Sequence, residues 1–160
     1  NTDIISYIRN EYKVLVGEKS AEEIKIQLSN IIPSNPPLEA RVRGRDLVTG
    51  LPKEIVVTEE DIHDAIHISA DSMFESVKEV LESTPPEVVS DIMEHGIYLT
   101  GGGALIKGLD EALSEYLGIK VVVSEDPLTA VVRGAGIIAS DIEYYKDIIV
   151  DNEDELSLNR

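Results

Sequence analysis

Leu99-Thr100-Gly101-Gly102-Gly103 is the stretch on which the reading of this 160-residue chain turns. Ile97-Tyr98-Leu99-Thr100 is a short apolar run of the kind that makes a buried strand. Beyond the glycines, Leu105, Leu109, Leu113 and Leu117 recur at helical spacing until Gly118. A strand that passes into a helix through three glycines presents backbone without Cβ atoms, so another group can approach closely. The start of the helix adds free N–H groups and a partial positive charge. The spacing matches neither G-x-G-x-x-G nor G-x-x-x-x-G-K-[ST], which excludes the Rossmann and Walker loops. Two readings stay open on these residues alone: a cradle for a ligand, or a tight strand-to-helix turn.

After Gly118, Val121-Val122-Val123 is a second buried-type strand. Asp126 then stands where it would cap a helix begun by Pro127, kept thin by Ala130, Gly134, Ala135 and Gly136. Strand, helix, strand, helix at this spacing predicts a parallel pair in an α/β sheet. The last 20 residues are strongly acidic, and the tail from residue 146 is expected to fray.

Upstream of Gly96 the pattern is different. Ile4, Ile5, Ile8, Tyr12 and Leu15 form a helical stripe closed by Gly17. Ser20-Ala21-Glu22-Glu23 has the form of a capping box, opening a helix whose apolar side is Ile24, Leu28 and Ile31. Pro33–Pro37 is a loop. Leu38–Arg45 and Lys53–Val57 read as the arms of a hairpin turned at Gly50, with Arg41, Arg43 and Arg45 alternating along the first. Thr58 caps a long helix through Ile62, Ile66, Met73, Val77, Val80 and Leu81, with Glu59, Glu60 and Asp61 in its first turn. Thr84-Pro85-Pro86 breaks it, and one more helix runs to Gly96. The division expected is a boundary helix over 1–16, a small α+β unit over 17–57, an α/β unit over 58–145 and the tail over 146–160.

Composition narrows the function. A net charge of −17 repels a phosphate backbone, so a broad nucleic-acid surface is excluded, and an anionic membrane is repelled as well. A small nucleotide stays possible, because its phosphates need only one local positive site. With no cysteine, thiol catalysis, cysteine metal clusters and disulfides are ruled out. No apolar run approaches the roughly 20 residues of a spanning helix, and cytoplasmic is the expected location.

Few other residues suggest chemistry. Glu22 and Lys25 lie three apart on the polar side of their helix, which by itself reads as a solvated ion pair. His63 and His67 are four apart, but Asp64 stands where a zinc protease helix has its longer Glu, and no third ligand is evident. No metal site and no catalytic triad are expected.

Together, Gly17–Ile26, Thr49–Pro52, Thr84–Met93, Gly96–Asp110, Asp126–Ala130 and Gly134–Gly136 resemble the second large domain of the MreB-type bacterial actins. The glycine run alone marks the wider superfamily of actins, heat-shock chaperones and sugar kinases; the combination is far more specific. The resemblance implies a ribonuclease H-like actin-type ATPase domain, its inner α/β subdomain joined to a small α+β outer subdomain with a hairpin. It places Gly101, Gly102 and Gly103 against the adenosine of ATP or GTP, with Leu105 and Ile106 beside the base. Glu22 and Lys25 would reach ribose and adenine, and Asp126 would close the bottom of the site. It also implies head-to-tail self-association into filaments that direct cell shape at the inner face of the membrane, and docking of a membrane-anchored rod-complex partner on the inner subdomain.

The family's first phosphate loop, its water-orienting acid and its metal-linked Asp have no counterpart between Asn1 and Arg160. The chain is therefore expected to be the second half of a longer ATPase, to bind nucleotide weakly and to lack hydrolysis by itself, with Mg²⁺ held by the complete protein. The alternative is a stand-alone module that docks a rod-complex partner. No direct membrane contact is expected from this chain.

Overall fold

The computed structural model describes residues 1–149. Helix α1 (Thr2–Glu11) leads into β1 (Val14–Leu15) and α2 (Glu18–Leu28). The hairpin is β2 (Glu39–Asp46) with β3 (Pro52–Thr58), and α3 (Glu59–Ser83) and α4 (Pro86–His95) follow. The remaining elements are β4 (Ile97–Leu99), a 3₁₀ turn (Gly102–Leu105), α5 (Leu109–Leu117), β5 (Val121–Val123), α6 (Ala130–Ser140) and a last 3₁₀ turn (Lys146–Ile148). The fraying expected of the acidic tail concerns residues that, from Val150 on, lie outside the described ones.

The first core is built by α1, α2 and the antiparallel sheet β1-β2-β3. Ile4, Ile8, Val14, Ala21, Ile24, Leu28, Val57 and Ile62 are all buried there. The first helix ends at Glu11 instead of running to Leu15. Lys13 takes a positive φ of 56°, after which Val14 and Val16 point inward and Leu15 outward, the period of a strand. The gain that overrides the helical stripe is pairing of Val14 and Leu15 with Asp46 and Arg45 of β2. Gly44 admits this approach: a Cβ there would lie 2.5 Å from the Leu15 carbonyl oxygen.

The capping box expected at Ser20–Glu23 does not form. Val16 is buried as the chain leaves β1, so the helix begins at Glu18 with extended Gly17 as its N-cap, and Ser20 falls inside the first turn. The box at Thr58 does form: Thr58 Oγ1 accepts from Asp61 N–H, and Asp61 Oδ2 accepts from Thr58 N–H. In the hairpin, Glu39 to Arg45 pair with Thr58 to Pro52 in unbroken register. Asp46 organises its turn, accepting from the N–H groups of Val48 and Thr49 at 2.8 Å each and pairing with Lys53 at 3.1 Å.

With 25 residues, α3 is about 37 Å long and belongs to both cores. Its first turn places Ile62 in the first, and Phe74, over three turns on, meets Leu109, Leu113 and Val121 in the second. Strands β4 and β5 pair in parallel, Ile97 to Leu99 against Val121 to Val123, as strand-helix-strand spacing predicts.

Two helices differ from their sequence patterns. The leucine stripe after the glycines is not one helix: the 3₁₀ turn ends at Leu105, Ile106 is extended and Gly108 is left-handed at φ +72°. The Lys107 carbonyl is diverted from helix pairing to accept the Ile31 N–H at 2.9 Å. The last helix starts at Ala130, three residues after Pro127, because Asp126 closes a turn on Thr129 instead of capping a helix at Pro127.

Candidate functional site

Between α2 and the glycine turn lies a cavity of about 370 Å³ lined by Glu22, Lys25, Ile26, Gly102, Gly103, Leu105, Ile106 and Leu128. One wall comes from the polar stripe of α2, which carries Glu22 and Lys25 away from Ile24 and Leu28, buried on its opposite side. The other wall is the turn that leaves β4. Six of the eight residues proposed from sequence line this one cavity. Gly101 and Asp126 do not; they brace it from behind, Gly101 donating its N–H to the Pro127 carbonyl at 2.7 Å and Asp126 holding Thr129. Leu128 and Ile26 are lining residues that sequence reading missed. Their signal was only an apolar residue out of register with its own helix stripe, or beside a proline turn.

Lys25 Nζ lies 2.6 Å from Glu22 Oε2 on the rim, both side chains partly open to solvent. The Lys25 ammonium, and after it the Asn1 side chain, hold the Glu22 carboxyl below its usual range. The pair therefore presents one carboxylate and one ammonium side by side, an acceptor and a donor suited to hydroxyls and to a base edge.

The three glycines are not equivalent. Gly101 has φ +81°, a conformation that the turn itself requires of glycine. Gly102 and Gly103 do not have positive φ. A Cβ on Gly103 would meet nothing within 4 Å, and one on Gly102 would make only an ordinary contact with Leu128 at 3.6 Å. Folding of the turn thus accounts for one glycine of the three. The bare backbone of the other two faces the cavity.

A second concavity, of about 460 Å³, lies between α2 and the hairpin with Glu23, Gln27, Arg41 and Arg43 on its walls. It is polar, its arginines share Glu54 as counter-charge, and none of the eight site residues proposed from sequence lies in it. The His63 and His67 rings stack 6.1 Å apart, and among the described residues no three His, Asp or Glu side chains converge as a metal site. No described helix is long and apolar enough to cross a membrane.

Two subdomain-like cores joined through one long helix, with a glycine turn facing a charged helix across a cleft, define a domain of the actin fold. Crystal structures of MreB5 of Spiroplasma citri, bound to AMPPNP and to ADP, superpose with a TM-score of 0.85 at 34% identity over 91% of this chain and 44% of theirs. The model of the MreB/Mbl protein family matches residues 1–147, and the chain belongs to that family. It is 41% identical over 141 residues to the cell shape-determining protein Mbl of Bacillus subtilis, covering 88% of this chain and 42% of that protein. It is 44% identical over 133 residues to the cell shape-determining protein MreB of Escherichia coli, covering 83% and 38%. The chain thus spans about two fifths of the length of these relatives.

Proposed function

We propose that this chain forms the adenosine-facing side of the nucleotide cleft in a filament-forming, actin-type ATPase that directs cell shape. The observation that carries the reading is the pair Gly102 and Gly103: the fold leaves room for a side chain at both, yet neither has one, and both face the cavity. A ligand lying directly on the backbone is the reason for glycine there. A flat, largely apolar base fits between Leu105, Ile106, Ile26 and Leu128, while Glu22 and Lys25 at the rim suit ribose hydroxyls and the base edge. The related MreB5 structures hold AMPPNP and ADP, which supports the same ligand class.

In this reading the chain binds and orients the nucleoside. Positioning of phosphates, Mg²⁺ and water, which phosphoryl transfer requires, belongs to the remainder of the complete protein. Self-association into filaments, docking of a membrane-anchored rod-complex partner on the part that contains β4 and β5, and a cytoplasmic location are parts of the same proposal, supported by family membership.

The test is titration of the full-length protein with a fluorescent ATP analogue, competed by ATP and by GTP. Saturable binding that weakens in Lys25→Ala is expected. An unchanged dissociation constant would return Glu22 and Lys25 to the role of a solvated ion pair.

A further inference from the structure

The cleft has two walls, and what fixes their spacing is a small buried polar junction beside it. Wall one, α2, ends at Leu28 and runs directly into Ser29 and Asn30, which are 6% and 9% exposed. Asn30 forms an isolated parallel bridge with Lys107, the residue that follows the cavity-lining Leu105 and Ile106 of wall two. The Ile31 N–H donates to the Lys107 carbonyl at 2.9 Å, a backbone hydrogen bond that joins the stretch around α2 to the stretch after the glycine turn. Ile31, which the structure places beyond the end of α2, packs with the second core, although α2 packs with the first.

The Asn30 side chain sits at the centre of this junction. Its Oδ1 accepts from Ile32 N–H at 3.1 Å and lies 3.6 Å from where a Cβ on Gly108 would stand. With Oδ1 assigned to that bond, the amide nitrogen faces the other way. There stands Glu59, a fully buried carboxylate at the start of α3 that accepts the Ser34 N–H at 2.8 Å. Burial pushes the Glu59 carboxyl up, but donors on Ser34, Leu38 and the Asn30 side chain outweigh it, and the group stays below its usual range. The Asn30 amide lies beside this carboxylate, whose Oε1 has no hydrogen-bond partner of normal geometry among the described residues.

We propose that Asn30, held between Glu59 and the Lys107–Gly108 backbone, is a positioning residue that sets the width of the cleft between α2 and the glycine turn. It touches neither cavity nor ligand. It acts by anchoring the C-terminal end of α2, two residues from Ile26 and three from Lys25, to the segment that carries Leu105 and Ile106. The alternative routes from one wall to the other run through α3 and through packing of the cores, which are farther from the cleft. The consequence for binding rests on the nucleotide reading above; the anchoring itself does not.

Two measurements on the full-length protein separate them. In the first, spin labels at Lys19→Cys on α2 and Glu111→Cys on α5, as the only cysteines, report the distance between the walls. Asn30→Ala is expected to shift or broaden that distance distribution with no nucleotide present, and an unchanged distribution overturns the proposal. In the second, a fluorescent ATP analogue is titrated at a temperature where every variant is folded by circular dichroism. Asn30→Ala is expected to weaken binding about tenfold, the scale of one lost buried hydrogen-bonding group. Asn30→Asp sets a second carboxylate against Glu59 and is expected to weaken binding more at pH 8 than at pH 5. The swap, Asn30→Asp with Glu59→Gln, restores an amide facing a carboxylate and is expected to recover most of the affinity and the pH independence. A swap that recovers melting temperature alone, leaving affinity low, assigns Asn30 a purely structural role and overturns the proposal. Wild-type protein that binds no nucleotide while the distance still responds to Asn30→Ala overturns the nucleotide reading and upholds the anchoring.

Discussion

Tyr12 donates its hydroxyl hydrogen to Asp61 Oδ2 at 2.7 Å, and through that bond the end of α1 is tied to the first turn of α3. The same carboxylate also takes the Tyr7 hydroxyl at 3.1 Å and the Thr58 N–H at 2.8 Å. One side chain thus completes a helix cap and joins three elements of the first core. Tyr12→Phe is expected to cost about 1 kcal/mol, and Thr58→Ala a similar amount through the cap alone. Asp61→Asn is expected to cost more than either, because it weakens every bond at once. Urea denaturation of each variant measures this; an Asp61→Asn midpoint at or above that of Tyr12→Phe would overturn the shared role.

Acid should loosen the fold in a defined window. Thr49 N–H, Lys53 and Val48 N–H hold the Asp46 carboxyl down to about 2. Burial pushes Asp61 up, but bonds from Tyr12, Thr58 and Tyr7 outweigh it and keep it below the usual value. A carboxyl lowered in the folded state adds stability that is complete above its unfolded pKa, near 4, and lost as pH falls toward the folded one. The urea midpoint is therefore expected to hold to about pH 4 and fall between 4 and 2. Asp46→Asn should flatten part of that fall.

Alkali acts through the tyrosines with the opposite sign. Burial, then Asp61, pushes the Tyr7 hydroxyl up to about 12, and burial pushes Tyr12 up as well. Their contribution is complete below the unfolded value near 10 and is lost as pH rises through the folded one. Spectrophotometric titration at the phenolate band should show Tyr7, Tyr12 and Tyr116 ionising late, the last raised by its hydrogen bond to Glu75, and Asp61→Asn should bring only the first two toward 10.

The glycine turn divides into positions that serve the fold and positions that serve the cleft. Gly101→Ala is expected to destabilise by about 1–3 kcal/mol, because φ +81° with ψ 175° is a conformation essentially reserved for glycine. Gly103→Val is expected to leave the melting temperature near wild type while abolishing binding of a fluorescent ATP analogue to the full-length protein, since the new side chain enters the cavity. A Gly103→Val protein that binds normally would contradict the cradle.

Gly44→Ala tests the strand that sequence periodicity did not reveal. The added Cβ meets Val14 Cγ1 and the Leu15 carbonyl oxygen, so β1 must move off the sheet, at a cost of about 1–3 kcal/mol. Hydrogen exchange of Leu47 N–H, which donates to the Lys13 carbonyl beside β1, should accelerate more than exchange in the β2–β3 register.

Most elements were legible because their signals are local. The hairpin followed from two strand-like runs around Gly50, the Thr58 cap from a polar residue ahead of an acidic turn, and the β4–β5 pair from the spacing of two short apolar runs. The six lining residues were named as one site only through the family resemblance; on the residues alone they were separate pieces without an assigned role. The Glu22–Lys25 pair and the glycines lie some 80 positions apart, and neither carries a signal that names the other.

What the sequence determined by itself is whatever depends on neighbours along the chain: helix faces, caps, turns, and the absence of cysteine and of a broad basic surface. Tertiary structure decided what depends on neighbours in space. It turned Val14 and Leu15 from helix to strand, because Gly44 leaves room for them on the sheet. It broke the leucine stripe at Lys107, because that carbonyl is taken by Ile31. It also separated Gly101, whose glycine the backbone dihedral demands, from Gly102 and Gly103, which have no positive φ, crowd nothing and line the cavity. A one-dimensional pattern records which side chains are apolar and how they are spaced, while the atoms that occupy or vacate the space beside each one come from segments folded against it.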